Sequence, residues 1–236
     1  MEASDRKYPV FDLISRVADE TKLTRKTVRK IFECLSVKQK GYLFSNPEGW
    51  CRVFLEAIKN VLCQHIANQI VFTIDPAQLV YDSEELFPQS RAMPQRELIP
   101  AGKRGLYNKV QVDSDVERFF VQKSISRKEE YVVLYFKFPP KFKIPMPKVI
   151  GNYNPDWGIV YKGDDGKLNL QLVRETKGTE DIEQLQFSSE KFKILCAKRF
   201  FEALGISYRV VTDKTLRWWE EAGYKHEGGL FLKVQP

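Results

Sequence analysis

The chain has 236 residues, 43% of them hydrophobic and 29% charged, the balance of a globular protein with a packed core rather than of a disordered or fibrous one. A formal charge of +7 suits a polyanionic partner without specifying one. No apolar run is long enough to cross a bilayer, the first residues are not a secretory leader, Cys34, Cys51, Cys63 and Cys196 lack CxxC spacing, and two histidines make no zinc site; a cytoplasmic protein with reduced thiols and no membrane partner is expected.

Val10, Phe11, Leu13, Ile14, Val17 and Ala18 recur at helical spacing and predict a helix over residues 9–20, with Pro9 near its first turn. Thr24 is placed to cap a second helix with Val28, Ile31, Phe32 and Leu35 on one side and Arg25, Lys26, Arg29 and Lys30 on the other. The pair fits a helix-turn-helix DNA reader, and it also fits two packed helices with solvated lysines, the reading we favour. After a break at 41–47, Trp50, Val53, Phe54, Ala57, Ile58, Val61, Leu62 and His65 predict the longest helix of the first half, with His65 a core histidine on its apolar stripe. Residues 70–74 read as a strand. The polar, proline-rich residues 76–105 read as a linker between a helical domain at 1–75 and a second domain at 106–236.

The second domain opens with Ser114, placed to cap a helix that buries Val116, Phe119 and Phe120. Ser114 and Glu117 have the spacing of a capping box, in which the glutamate closes the helix start. Residues 131–138 predict a strand, ended by Pro139. Lys141, Lys143 and Lys148 then alternate with Phe142, Ile144 and prolines, the pattern of a wall against a DNA backbone or of an extended connector with solvated lysines.

Residues 152–178 parse as two strands joined by a hairpin at Gly163-Asp164-Asp165-Gly166, because Asp and Gly accept the positive φ of a tight reversal. Leu168, Leu170 and Leu172 alternate with polar residues on the second arm. Strand alternation puts Glu175 and Lys177 on one face and Thr176 on the other, and in-register pairing brings Asp156 beside the first two. Two carboxylates this close repel unless a cation sits between them, and a hard divalent ion such as Mg²⁺ is the natural guest. Asp156 and Glu175 would be its ligands, and Thr176 would add its main-chain carbonyl rather than its side chain. Lys177 would orient the attacking water, hold its charge or assist its deprotonation. Arg174 faces away and reads as structural, and Asp164 and Asp165 lie in the turn, outside the site.

Beyond a polar stretch, Phe192, Ile194, Leu195, Ala197, Phe200, Phe201 and Leu204 predict a helix stopped by Gly205. Lys191, Lys193, Lys198 and Arg199 ride on it as candidate phosphate contacts, Lys191 and Lys198 foremost, with a solvated face as the default reading. Residues 206–211 read as a strand that, reached by a helical crossover, pairs in parallel with the Glu175 strand. Trp218 and Trp219 read as a short helix, and residues 230–234 as an edge strand or a docked tail. From Ser114 the order is helix, three strands, helix, strand.

The pattern Pro155-Asp156, a spacer, then Glu175-Thr176-Lys177 resembles the PD-(D/E)xK nuclease superfamily. The longer run Asn-Tyr-Asn-Pro-Asp-Trp-Gly-Ile-Val, followed by Val-Arg-Glu-Thr-Lys-Gly, is similar to the nuclease domain at the C-terminal end of the Res subunit of type III restriction enzymes. The upstream helix and the segment Phe-Lys-Phe-Pro-Pro-Lys-Phe-Lys-Ile-Pro have counterparts there in the same order. The resemblance implies an α/β fold with a restriction-endonuclease-like core, a mixed sheet flanked by helices, preceded by a small helical spacer domain. It implies Mg²⁺-dependent hydrolysis of double-stranded DNA, Mn²⁺ being a possible substitute, with Asp156, Glu175 and Lys177 catalytic and Glu117 at the rim of the site, alongside its capping role as a rival. Lys141, Lys143, Lys191 and Lys198 would meet the DNA backbone. The sequence has no GxxxxGK(S/T) loop, so ATP would act only through a helicase portion outside this chain, and target recognition would lie with a methyltransferase subunit. An isolated fragment of this kind is expected to be silent if it depends on those partners. The alternative of another class is a DNA-binding or interaction module that does not cut.

Overall fold

The computed structural model describes residues 12–73, 82–90, 97–162, 168–185 and 188–220. Contacts divide the chain into two compact units, Met1–Gln69 with Pro147–Gly151, and Ile70–Met146 with Asn152–Pro236.

The first unit is helical. Helix α1 (Leu13–Thr21) starts at Asp12, whose side chain accepts from Ser15 N, and ends at Lys22 in the left-handed conformation. Helix α2 (Arg25–Glu33) is capped by Thr24 as its sequence predicts, α3 (Val37–Lys40) carries a complete capping box between Ser36 and Gln39, and α4 (Pro47–Gln69) has proline at its first position. Leu13, Val17, Ala18, Val28, Cys51, Phe54 and Ile58 form the core. On α4 the buried stripe is Cys51, Phe54, Ile58, Cys63 and Ala67. His65 is exposed, as are Ala57, Val53 at 64% and Val61 at 71%, so the predicted stripe is corrected. Hydrophobic residues lie on several sides of α4, and only packing against α1 and α2 selects which side is buried.

In the second unit residues 70–73 form no strand, against expectation; Val71 is exposed, and a β-prone run without a partner has no ladder to join. Inside the stretch read as linker, α5 (Ser83–Leu86) and strand β1 (Leu98–Pro100) are ordered elements, and β1 pairs antiparallel with β2 (Lys109–Gln111). Helix α6 (Asp115–Phe119) begins at Ser114 and widens into a π-helical turn at Phe120–Ile125 and a 3₁₀ turn at Ser126–Lys128. That widening shifts the buried face to Glu117, Phe120, Val121 and Ile125, leaving Val116 and Phe119 half-buried.

The main sheet has four strands in the order β3 (Val132–Lys137), β4 (Trp157–Lys162), β5 (Leu168–Thr176) and β6 (Ser207–Val211). The first two pairings are antiparallel and β5 with β6 is parallel, connected through α7 (Ser188–Ala203), as the crossover argument requires. Gly205, at φ +68°, ends the α7 turn. The fold is therefore a restriction-endonuclease-like α/β arrangement, a mixed sheet with helices against it, following a helical region. The hairpin turn at 163–167 and residues 230–234 lie outside the described residues.

One face of the sheet presents Tyr135, Trp157, Ile159, Tyr161, Leu172 and Val211 to Phe120 and Trp218 in a single core. Arg174, on that face, is 0% exposed; it donates to the carbonyls of Trp218, Val173, Ser207 and Trp219 and to Ser207 Oγ. Trp218 is buried and Trp219 stacks on Tyr161, but residues 216–219 form a turn and not the predicted helix. The carbonyls of Trp218 and Trp219 accept from the Arg174 guanidinium, a donor that takes the place of the amides a helix would have supplied.

Candidate active site

Register assembles the site. Trp157 pairs with Arg174 and Gly158 with Val173, so one step further along the hairpin Asp156 stands opposite Glu175. Phe138 N donates to Asp156 O at 2.8 Å, which extends the β3–β4 ladder to this residue. On the other side Lys177 N donates to Val211 O at 3.0 Å, which extends the parallel pairing past Thr176. Asp156, Glu175 and Lys177 are thus all pinned by main-chain bonds or register at one end of the sheet.

Each side chain is then fixed. Asp156 Oδ2 accepts from Thr176 N at 2.7 Å and from Thr176 Oγ1 at 2.6 Å. The threonine hydroxyl, expected to be idle, is a clamp on the aspartate, and Trp157 Nε1 donates to it from behind at 3.4 Å. Glu175 Oε2 accepts from Tyr153 OH at 2.5 Å, and Tyr153 OH lies 2.8 Å from Tyr208 OH. Glu175 Oε1 faces Lys177 Nζ at 3.2 Å, and the same ammonium is 3.9 Å from Glu190 Oε2 in the first turn of α7. Side-chain exposure rises from 5% at Glu175 through 24% at Lys177 to 42% at Glu190, so the cluster opens to solvent on the α7 side.

The electrostatics follow. Burial, then the neighbouring charge of Asp156, pushes the Glu175 carboxyl up to about 8, and Lys177 offsets only part of this. Burial works against the Lys177 ammonium, but Glu175, Asp156 and Glu190 outweigh it and hold its pKa above the ordinary lysine value. The hydroxyls of Tyr153 and Tyr208 are pushed well up, first by burial and next by the charge of Glu175.

Among the described residues, no group of three or more His, Cys, Asp or Glu side chains is arranged to hold a metal ion. A donor set of two carboxylates completed by main-chain oxygen and solvent does not suit zinc, but it is the usual provision for Mg²⁺, which keeps several waters. Two neighbouring carboxyl groups, one of them buried and only partly compensated by its lysine, so that ionising both is unfavourable without a further positive charge, are the feature that fits a divalent cation.

Glu117 stands in a different cluster. Its Oε2 accepts from Lys137 Nζ at 2.6 Å and from Asp113 N at 2.7 Å, while Ser114 Oγ accepts from Glu117 N. The carboxylate therefore reaches one residue beyond the cap, and its charge is met by Lys137, which Asp113 also holds at 2.7 Å. The largest charges acting on Glu175 and Lys177 are those of Asp156, Glu190 and each other.

Of the four lysines expected near phosphate, Lys141 is 3.4 Å from Glu85, Lys191 is 2.6 Å from Glu183 and Lys198 is 3.9 Å from Glu202; Lys143 is exposed. Asn154 Nδ2 donates to the carbonyls of Pro139 and Phe142, which ties the segment bearing Lys141 and Lys143 to the strand entry at Asp156.

Tyr153, Tyr208 and Glu190 went unread in the sequence. Tyr153 lies three residues before Asp156, and Glu190 is an acid at the start of the crossover helix, but only the fold brings them to Glu175 and Lys177. Residues 103–214 match a family model described as an endonuclease domain. No curated protein and no solved structure matches the chain. Among the described residues no helix is long and apolar enough to cross a membrane.

Proposed function

We propose, from an endonuclease domain at residues 103–214, that the chain hydrolyses phosphodiester bonds of double-stranded DNA with a divalent cation, as the nuclease part of a type III restriction system. The observation that carries this reading is the meeting of Asp156 and Glu175 across β4 and β5 with Lys177 paired to Glu175 Oε1. Asp156 and Glu175 would hold Mg²⁺ or Mn²⁺, with the Thr176 main-chain carbonyl as a further oxygen; such an ion supplies charge neutralisation and Lewis-acid polarisation at the scissile phosphate.

The protein's own groups have separable tasks. Thr176 fixes the orientation of Asp156 through its amide and hydroxyl, and Tyr153 fixes that of Glu175. Lys177, whose ammonium Glu175, Asp156 and Glu190 favour against the effect of burial, would orient the attacking water and stabilise negative charge developing on the phosphate oxygens. Lys141 and Lys143, on the segment that Asn154 ties beside Asp156, would steer the backbone toward the site. Lys191 and Lys198, already engaged by Glu183 and Glu202, would have to exchange those partners for phosphate.

Motor activity, ATP use and target recognition would come from a helicase portion and a methyltransferase subunit. The test is cleavage of supercoiled plasmid by the purified protein with Mg²⁺, Mn²⁺ or EDTA, alone and with such partners, alongside Lys177→Met. Metal-dependent nicking that Lys177→Met abolishes without loss of fold supports the reading; nicking retained by Lys177→Met refutes it.

A further inference from the structure

We infer that Tyr153 and Tyr208 are positioning residues that leave Glu175 one oxygen to offer an ion, and so set the preference of the site for Mg²⁺ over Ca²⁺. The inference rests on the metal-dependent reading above and concerns which ion that site accepts.

The hydrogen bonds have a fixed direction. A tyrosine has one O–H proton, and that of Tyr153 goes to Glu175 Oε2 at 2.5 Å. The 2.8 Å contact between the two hydroxyls must then be donated by Tyr208. With Glu175 ionised, the form that would hold a cation, the result is a chain from Tyr208 to Tyr153 to Glu175 in which each bond polarises the next.

The chain is held where it stands. Tyr153 pairs with Ile144 through two main-chain bonds, Ile144 N to Tyr153 O at 2.8 Å and Tyr153 N to Ile144 O at 3.1 Å. The Tyr208 side chain leaves β6 opposite Val173, and its ring stacks on Phe201 of α7 with an interplanar angle of 7°. Both rings are buried. Neither hydroxyl is free to turn to water if Glu175 abandons it.

Glu175 consequently has two unlike oxygens. Oε2 is committed to the tyrosines, and Oε1 faces Lys177 and the solvent-facing side of the cluster. An ion that takes Oε1 alone leaves the tyrosine chain intact. An ion that takes both oxygens breaks the Tyr153 bond and strands its buried O–H, which Tyr208, itself donating to Tyr153, does not accept, and a buried donor without an acceptor costs more than the bond itself contributes. Mg²⁺ binds carboxylates through one oxygen in a small octahedral shell, whereas Ca²⁺ takes more ligands and readily uses both oxygens of a carboxylate. The tyrosine pair therefore penalises the mode that favours Ca²⁺.

The experiment is calorimetric titration of the full chain with Mg²⁺ and with Ca²⁺, for wild type, Tyr153→Phe and Tyr208→Phe, with circular dichroism to verify folding. The Ca²⁺ to Mg²⁺ ratio of dissociation constants is expected to fall by roughly 10-fold or more in Tyr153→Phe, the range of outer partners of metal ligands. Tyr208→Phe, which removes only the outer bond, is expected to move the ratio the same way by less. A folded Tyr153→Phe with an unchanged ratio overturns the inference and leaves the functional reading standing; if that variant does not fold, an unchanged ratio in Tyr208→Phe overturns it equally. Wild-type protein that binds neither ion overturns the functional reading itself and the inference with it.

Discussion

Both donors of Thr176 end on one oxygen of Asp156, the amide at 2.7 Å and the hydroxyl at 2.6 Å. A carboxylate held twice by a neighbouring strand cannot rotate, so its other oxygen has a defined direction. Thr176→Val keeps the shape and the amide bond but loses the hydroxyl, and Mg²⁺ binding is expected to weaken by about 10-fold or more, with Thr176→Ser close to wild type. Titration calorimetry on the two variants checks this, and equal affinities for Val and Thr would show that the hydroxyl is idle.

Glu175 gives a pH dependence with a definite sign. Its carboxyl titrates at an ordinary 4.5 in the unfolded chain and at about 8 in the folded one, so between those values the folded state binds its proton more tightly. Without metal, stability then falls as pH rises from about 4.5 to about 8, and the loss is complete above that. Glu175→Gln should unfold at a higher temperature than wild type in EDTA near pH 8, lose that advantage near pH 5, and bind no divalent ion. Added Mg²⁺ should raise the wild-type unfolding temperature more at the higher pH. A variant less stable than wild type at both pH values would contradict this account of the site.

Whether Glu117 serves the site or the fold can be tested through its partner. Lys137 is the ammonium that meets this buried carboxylate, so Lys137→Met should cost about 3–5 kcal/mol of stability, the usual penalty for stranding one half of a buried pair. A Lys137→Met, Glu117→Leu double variant should recover most of it, as measured by urea unfolding. Cleavage by that double variant at the wild-type rate would assign Glu117 to the fold; its loss would return Glu117 to the site.

Glu190 supplies the outer acceptor for Lys177 at 3.9 Å and is substantially exposed. Glu190→Gln should slow single-turnover cleavage only modestly, on the order of two- to fivefold, as for other solvated ion pairs. A loss as deep as that of Lys177→Met would move Glu190 into the catalytic set.

Most of the sheet was legible because strand alternation and a hairpin are local properties. Leu172, Glu175 and Lys177 report their faces by spacing alone, and the crossover through α7 dictates the parallel partner. What escaped is long-range. Nothing near Tyr153 in sequence states that its hydroxyl meets Glu175, twenty-two residues on, or Tyr208, fifty-five residues on. The π-helical turn at Phe120–Ile125 escaped for another reason, since it changes the period on which helical faces are counted. On α4 the pattern offered more than one apolar side, and packing within the first unit made the choice, leaving His65 outside the core.

The buried guanidinium of Arg174 bears on where this domain can be cut. Trp218 and Trp219 supply two of its acceptors, yet both lie past residue 214, where the family match stops. An expression boundary drawn at the end of that match would leave the Arg174 guanidinium, on the sheet face opposite Glu175, without two of its carbonyl partners and without the indole of Trp218 that packs in the same core. Such a trimmed protein would be expected to aggregate or resist refolding, a failure of subcloning that an inactive assay would mistake for absent chemistry.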